Sequence, residues 1–360
     1  MEPITVLRAA HAELLVTDLD AARHFYVDLL GFVETERDER RLYLRCLEER
    51  EHHSLVLRKA DHAGAGHIAF RVASPDDLQR LADLATAERR PQRWVEGEEL
   101  GQGTALRTQD PCGLPLEFYH QMEPAPRLLQ QYHLHGPVQV MRLDHFNCQV
   151  PDVEAAVAWY RQQLCFHMSE YTVAESAGRE RPAADSTQRV PGADPLLASS
   201  ATGSALGPAG ERLWAAWLYR KHTVHDIALM NGIGPRLHHV GFLVPDALAI
   251  IRVCDVLAAA GYHQAIERGP GRHGLSNALF LYLRDPDGNR IEFYACDYLT
   301  ADPDAEPIRW TLDDPRRATF WGHAPPACWF DEAMAVESVH GEGFVPQRRP
   351  ILHDRPDHVT

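Results

Sequence analysis

Short apolar runs, each followed by an aspartate and then by a stretch with helical periodicity, occur four times along the chain. The aspartates are Asp18, Asp76, Asp152 and Asp246. Aspartate favours the N-cap because its carboxylate accepts hydrogen bonds from the free N–H groups of the first helical turn. Each helical stretch is followed by short runs rich in β-forming residues, separated by turns such as 285–288. The pattern therefore predicts a β-α-β-β-β unit that is used four times.

The units are organised as a duplication, because segments of the first half recur in the second half. Three pairs of segments match: 8–32 with 142–166, 66–85 with 238–261, and 105–120 with 280–295. Two such units must pair their sheets so that each buries one face. We therefore expect an α+β chain with two tandem domains, residues 1–135 and residues 136–300.

Two segments fall outside the repeats. Residues 174–212 are rich in Ala, Gly, Pro and Ser and lack periodicity, which predicts a mobile loop inserted into the second domain. Residues 301–360 follow the last repeated strand and contain Trp310, Trp321 and Trp329. We expect this segment to be a tail that docks over one face of the second domain.

The composition narrows the classes of partner. The chain has 360 residues, with 36 Lys+Arg against 51 Asp+Glu, and its net charge of −15 argues against binding to nucleic acid or to an anionic membrane. No apolar run approaches the roughly 20 residues that cross a bilayer, and the N-terminus does not resemble a signal peptide. The seven cysteines are scattered and form no C-x-x-C pair. A cytoplasmic protein is expected.

Histidine is unusually frequent, at 21 residues, and it is the commonest metal ligand. In the second half, His145 and His239 are predicted at the start of the first strands of their units, and Glu292 on a last strand. Two imidazoles and one carboxylate leave three coordination positions open, which is typical of non-haem Fe(II) sites. Taken one at a time, each of these residues could have a purely structural role, in packing or hydrogen bonding. Their repeat-equivalent positions together favour a metal centre.

Several strings in the second half resemble those of type I extradiol ring-cleaving dioxygenases of the vicinal oxygen chelate superfamily. They are similar above all to the homoprotocatechuate (3,4-dihydroxyphenylacetate) 2,3-dioxygenases of that family. The strings include LDHFN (143–147), RKHTVHDIAL (220–229), GPRLHHVGF (234–242) and residues 267–294. Apart from the insertion, the resemblance runs from His11 to about Trp329.

The resemblance implies a fold, a reaction and a cofactor. The fold would be four βαβββ modules in two tandem glyoxalase/bleomycin-resistance-like domains. The reaction would be extradiol cleavage of a catechol by O₂. For 3,4-dihydroxyphenylacetate, the product would be 5-carboxymethyl-2-hydroxymuconate semialdehyde. The cofactor would be Fe(II), with Mn(II) as an alternative, and the assembly would be a homotetramer.

The resemblance also assigns roles around the three metal ligands. His225 would lie over the O₂ position as an acid/base, which suits an imidazole with an ordinary pKa near about 6.5. Tyr282 would hydrogen-bond the catecholate oxygen, and His273 would lie near a substrate oxygen. Asn147 is two residues from His145 and so points to the same strand face, where it could orient O₂ or substrate.

Substrate selection requires other residues. The carboxylate of a dihydroxyphenylacetate favours a guanidinium partner, and Arg268 matches a family residue in that role. Trp217 would form an aromatic wall. In the tail, Arg316 and Arg317 could both reach the pocket. The family usually has an acid after its arginine pair, whereas this chain has Ala318. Which tail arginine contacts the substrate therefore remains open.

The first half carries echoes of the same pattern. The ligand positions hold His11, His67 and Glu117, and His53 falls opposite His225. However, Arg107 replaces Tyr282 and Glu13 replaces Asn147, and a cationic arginine opposes a metal cation. In the family this half is normally a metal-free duplicate. We therefore expect no metal in the first half.

Three alternatives share the fold. The first is an extradiol dioxygenase for another substituted catechol. The second is a glyoxalase-like metal-dependent lyase or isomerase, which usually carries a second glutamate or glutamine ligand and no counterpart of His225 and Tyr282. The third is a metal-free ligand-binding protein, which would not need the metal ligands.

Overall fold

The computed structural model describes residues 3–175, 211–302 and 304–356. Within these ranges the chain forms two β-sheets, one from each half, with helices between the strands. The first two and the last two residues of the predicted insertion belong to strands rather than to a loop. The rest of that insertion, residues 176–210, lies outside the described residues.

The first half consists of two βαβββ modules. The first module contains β1 (Val6–Val16), α1 (Leu19–Arg23), β2 (Val33–Arg37), β3 (Arg41–Arg45) and β4 (Leu55–Lys59). A π-helical turn, His24–Leu29, extends α1. The second module contains β5 (Gly64–Val72), α2 (Pro75–Ala87), β6 (Arg93–Val95), β7 (Ala105–Gln109) and β8 (Pro115–Tyr119). The sheet order is β2-β3-β4-β1-β5-β8-β7-β6.

The second half repeats this architecture. Its first module contains β9 (Arg142–Val150), α3 (Val153–Leu164), β10 (His167–Glu175), β11 (Glu211–Tyr219) and β12 (Ile227–Asn231). Its second module contains β13 (Arg236–Leu243), α4 (Ala247–Ala259), β14 (Ile266–Arg272), β15 (Leu279–Arg284) and β16 (Arg290–Ala295). The prediction of four βαβββ modules is therefore confirmed.

The tail of the chain extends the second sheet. It contains β17 (Ile308–Thr311), α5 (Pro315–Ala318) and β18 (Met334–Ala335). The sheet order is β14-β15-β16-β13-β9-β12-β11-β10-β17, and β18 pairs with β13. The tail thus adds strands to the sheet as well as covering it.

Helix starts follow the predicted caps at three of four positions. The carboxylates of Asp18, Asp152 and Asp246 accept hydrogen bonds from N–H groups of the first turn. The remaining helix, α2, begins earlier than predicted. Its N-cap is Ser74, which forms a capping box with Asp77. Asp76 lies inside the first turn, where its charge favours the helix dipole.

One buried apolar cluster contains residues of both halves. The Phe32 ring packs edge-on against Phe242 with a centroid distance of 4.8 Å, and the Phe70 ring packs edge-on against Phe146 at 5.8 Å. The two halves therefore share a core. None of the helices in the described ranges is long and apolar enough to cross a membrane.

A buried turn ties the halves together with hydrogen bonds. The Asn289 amide donates to the Leu15 carbonyl at 3.0 Å and accepts from the Gly64 N–H at 3.2 Å. Tyr26 donates its hydroxyl to Asp285 at 3.1 Å. Asn289 is 1% exposed, so water cannot replace its bonds.

We expect Asn289→Ala to lower the free energy of unfolding by about 3 kcal/mol, because it leaves a buried carbonyl and a buried N–H without partners. Urea unfolding of the two proteins measures the difference. Thr17→Ala is the control, since it removes an exposed contact to Asp287 across the same junction and should cost under about 1 kcal/mol. Equal losses in both variants would contradict the argument.

Candidate active site

Strand pairing brings the three predicted metal ligands together. β13 lies between β9 and β16, antiparallel to the first and parallel to the second. In this register Gly241 is opposite His145 on one side and opposite Glu292 on the other, while His239 is opposite Asn147. Both histidines lie in the middle of their strands, whereas the sequence pattern predicts them at the strand starts. Three adjacent strands thus supply one ligand each.

The donor atoms of these ligands form a compact triangle. The Nε2 atoms of His145 and His239 are 3.3 Å apart, and Glu292 Oε2 is 2.9 Å and 3.0 Å from them. Neighbouring ligands of an octahedral ion bound at about 2.1 Å are about 3.0 Å apart. All three side chains are buried. The geometry therefore fits a divalent metal held on one face.

Gly241 makes this triangle possible. A Cβ atom at this position would lie 2.3 Å from Cε1 of His145. The imidazole ring of His145 therefore occupies the space that a side chain at position 241 would need. Any other residue would push the ring away from the other two ligands.

Both histidine ligands are oriented by a neighbour that sequence reasoning did not single out. His145 donates its Nδ1–H to Asp144 at 3.0 Å. His238 donates Nε2–H to the Trp329 carbonyl at 2.9 Å, so its Nδ1 is left to accept from His239 Nδ1 at 2.8 Å. Each ligand is thereby held in the orientation that aims Nε2 at the metal position. The only sequence signal is that each neighbour directly precedes its ligand.

His225 lies over this centre as expected. Its ring is 4.0 Å from the His145 ring, centroid to centroid, at an angle of 37°. Burial, and then the nearby His145, hold the pKa of His225 well below its ordinary value. The imidazole is therefore neutral at neutral pH, whereas the sequence had suggested that both forms are accessible. A neutral imidazole is ready to accept a proton.

Tyr282 and His273 form a hydrogen-bonded pair beside the ligands. His273 Nδ1 donates to the carbonyl of Ala318, which leaves Nε2 to accept from the Tyr282 hydroxyl at 3.0 Å. His273 Nε2 is also 3.6 Å from Glu292 Oε1. Asn147 lines the same cavity, and its amide Oδ1 has no hydrogen-bond partner among the described residues.

The cavity over the ligands has an aromatic and cationic lining. Trp217, Trp329, Arg268 and Arg317 all contribute to it. The guanidinium group of Arg268 stacks 4.8 Å from the Trp329 ring and donates to the Ala318 carbonyl and the Thr319 hydroxyl. Arg268 therefore holds the tail over the cavity as well as supplying charge.

The two tail arginines differ in placement. Arg317 is 3% exposed and its guanidinium lies 5.4 Å from the Trp214 ring. The side chain of Arg316 is 54% exposed, pairs with Asp314, and does not line the cavity. The expectation that both could reach over the pocket thus holds only for Arg317 in this structure, because α5 turns the two side chains to different sides.

The cavity carries an excess of positive charge. Burial lowers the pKa of Arg268 and of Arg317 to about 10, so both remain cationic at neutral pH. Arg317 Nε is buried and has no hydrogen-bond partner among the described residues. A bound anionic group would neutralise part of the positive charge and would accept a hydrogen bond from Arg317 Nε.

Comparisons with known proteins show which family the chain resembles. The model of the Glyoxalase/Bleomycin resistance protein/Dioxygenase superfamily matches residues 8–118 and 142–293. A manganese-dependent 2,3-dihydroxybiphenyl 1,2-dioxygenase from Geobacillus genomosp. 3 is 30% identical over 330 residues, which cover 88% of this chain and 93% of that protein. A metapyrocatechase from Geobacillus stearothermophilus is 28% identical over 346 residues, which cover 91% of this chain and 94% of that protein.

Solved structures extend the likeness to the whole fold. Homoprotocatechuate 2,3-dioxygenase from Arthrobacter globiformis superimposes with a TM-score of 0.83 at 39% identity, covering 96% of this chain and 97% of that one. The same enzyme from Brevibacterium fuscum, in complex with 3,4-dihydroxyphenylacetate, superimposes with a TM-score of 0.83 at 37% identity. The match covers 96% of this chain and 98% of that one. The chain belongs to the Glyoxalase/Bleomycin resistance protein/Dioxygenase superfamily and, within it, to the extradiol dioxygenases.

Proposed function

We propose that this protein cleaves the aromatic ring of 3,4-dihydroxyphenylacetate beside its two hydroxyl groups, using O₂. The product is 5-carboxymethyl-2-hydroxymuconate semialdehyde. The observation that carries the proposal is a three-ligand metal triangle facing a cavity that holds a neutral imidazole and two buried arginines. The relative complexed with 3,4-dihydroxyphenylacetate supports the choice of substrate.

The residues His145, His239 and Glu292 would hold the metal. A divalent ion held there supplies adjacent positions for the catechol oxygens and O₂ and a path for electrons between them. Fe(II) is the proposed ion. Mn(II) suits the same ligands, and one relative is named as manganese-dependent.

The surrounding side chains manage protons and orientation. His225 accepts a proton from the catechol and returns it later to the reacting oxygen, because its imidazole is neutral and lies against a metal ligand. The Tyr282 hydroxyl, which donates to His273 in this structure, turns its O–H to a substrate oxygen when the catechol binds. Asn147 lines the same cavity, and its Oδ1, which has no hydrogen-bond partner among the described residues, orients O₂ or substrate. The aromatic wall of Trp217 contacts the ring.

Arg317 is the proposed partner of the substrate carboxylate. It is buried in the cavity wall, and its Nε atom has no acceptor within the part of the chain that the structure describes. Arg268 adds a second positive charge nearby, although its own donors are partly used by the tail.

The proposal extends to assembly and location. All seven cysteines are free thiols, which suits a reducing cytoplasm. A homotetramer is proposed from the family resemblance, and light scattering of the pure protein would measure it.

The substrate assignment predicts O₂ consumption and a yellow product when 3,4-dihydroxyphenylacetate is added to the Fe(II)-loaded protein. The kcat/KM for 3,4-dihydroxyphenylacetate should exceed the kcat/KM for plain catechol at least tenfold, because only the acid can pair with a buried arginine. Protocatechuate, with a shorter acid arm, serves as the comparison. Faster turnover of plain catechol would contradict the arginine argument. Absence of O₂ uptake with every catechol would contradict ring cleavage and favour a lyase or a binding protein.

His225→Phe should lower kcat by about 100-fold or more, since positioned acid/base groups contribute about 10² to 10⁴. Metal content and substrate KM should stay near the wild-type values because Phe preserves the ring packing on His145. Steady-state kinetics with metal analysis test this. A near-normal kcat would remove the acid/base role.

Arg317→Met should lower kcat/KM for 3,4-dihydroxyphenylacetate by about 10- to 100-fold, the equivalent of a charge-assisted hydrogen bond. Activity on plain catechol should change little, which also reports that the variant is folded. Arg316→Met is the matched control, because its side chain lies outside the cavity. An equal effect of both variants would show that bulk charge, not a contact, selects the acid.

A further inference from the structure

A second cluster of buried histidine and glutamate side chains lies in the first half. His11 on β1, His67 on β5 and Glu117 on β8 stand at positions equivalent to the catalytic metal ligands. The segment between β6 and β7 adds Glu99. Each of these four side chains is at most 2% exposed.

Their donor atoms converge much as those of the catalytic triangle do. The Nε2 atoms of His11 and His67 are 3.2 Å apart, and Glu117 approaches them at 3.3 Å through Oε1 and 3.6 Å through Oε2. Glu99 lies 3.4 Å from each histidine, through Oε2 to His11 and Oε1 to His67. Four protein groups therefore surround one point, whereas three do so in the second half.

An independent observation indicates that a cation belongs at this point. Glu99 Oε2 is fully buried and has no hydrogen-bond partner among the described residues. His53 Nε2 lies 3.3 Å away and is also buried without such a bond. A buried carboxylate oxygen without a donor is costly. A metal ion would satisfy that oxygen directly.

The charges around the cluster do not balance. The acids are Glu13, Glu99, Glu117 and Glu337, and the arginines paired with them are Arg41, Arg58 and Arg107. One negative charge is left over in this ion-pair network, whose rim (Glu337, Arg41 and Arg58) is half-buried, so a further positive charge would neutralise it. A metal ion or a proton would provide it.

Arg107 does not block a cation, contrary to what the sequence suggested. Its guanidinium binds Glu117 Oε2 at 2.6 Å and Glu99 Oε1 at 2.9 Å. The other oxygen of each carboxylate is the one nearest His11. Glu99 can therefore bridge the arginine and an ion through its two oxygens. Glu117 can do so as well, although its Oε1 also accepts from the Gln102 amide at 2.7 Å.

Arg107 does remove the space for a substrate. It pairs with Glu117 across β7 and β8 as Tyr282 pairs with Glu292 across β15 and β16. Glu99 and Arg107 thus cover the ligands on the side of the sheet where the catalytic half has its cavity. A site closed by four protein ligands is typical of a structural metal.

We propose that the first half binds a second divalent cation through His11, His67, Glu99 and Glu117, as a structural site. It holds together β1, β5, β8 and the segment that carries Glu99. This departs from the expectation of a metal-free half, which did not include a fourth ligand.

The second cation binds more weakly than the catalytic one. The Nδ1 atoms of His11 and His67 are buried without hydrogen-bond partners in the described chain, whereas Asp144 and His238 serve the catalytic histidines. Such orienting partners are worth about 10- to 100-fold in metal affinity. The two sites should therefore differ at least tenfold in Kd.

Titration of metal-free protein with Mn(II), with free Mn(II) read by electron paramagnetic resonance, tests the proposal. The wild type should bind two Mn(II) per chain in two affinity classes. Glu99→Gln should lose the weak class and keep the tight class, which also reports an intact second half. Glu292→Gln should do the reverse. No catechol is involved, so the result is independent of the proposed ring cleavage.

Glu98→Gln is the matched control, because Glu98 pairs with Arg93 and, at 3.5 Å, with Arg107 but contributes no donor atom to the cluster. It should keep both classes. His67→Gln removes a ligand from another strand and should repeat the result of Glu99→Gln. A single Mn(II) per wild-type chain would overturn the proposal, as would two Mn(II) per chain retained in both Glu99→Gln and His67→Gln. The leftover charge would then be met by a proton.

Discussion

The packing of β13 between β9 and β16 is the constraint on which the catalytic centre depends. Strands in a sheet lie about 4.8 Å apart, so residues in register on three strands can direct their donors to one point. Gly241 stands between His145 and Glu292 in that register. Its missing side chain lets the His145 ring lie across the strand. The metal triangle is thus a property of strand register and one glycine.

Around that triangle, buried neighbours orient the ligands. Asp144 and His238 each hold one imidazole in the orientation that aims Nε2 at the metal position. The chain from His238 ends on the carbonyl of Trp329 in the tail. The tail is therefore connected to the metal ligands and also supplies Arg317 to the cavity.

Duplication produced two halves with the same strand order but different chemistry. The pairing partner of the glutamate is Tyr282 in one half and Arg107 in the other. A tyrosine leaves room for a substrate and can donate a proton in a hydrogen bond. An arginine paired with two carboxylates fills that room with fixed charge. Arg107 on β7, together with Glu99 from the segment before it, separates the closed site from the open one.

The sequence by itself determined the four modules and the duplication and predicted the three candidate metal ligands that the structure brings together, because periodicity, aspartate caps and repeat-equivalent positions are local or alignable patterns. Most predicted pocket residues, including His225, Tyr282 and Arg268, line one cavity, and their roles stay predictions. Only the tertiary structure separated Arg317 from Arg316, since the turn of a four-residue helix decides which side chain is buried. It alone brought Glu99 to the first-half cluster, because that residue has no counterpart in the repeat. Contacts of that kind arise when distant segments pack, and no spacing along the chain encodes them.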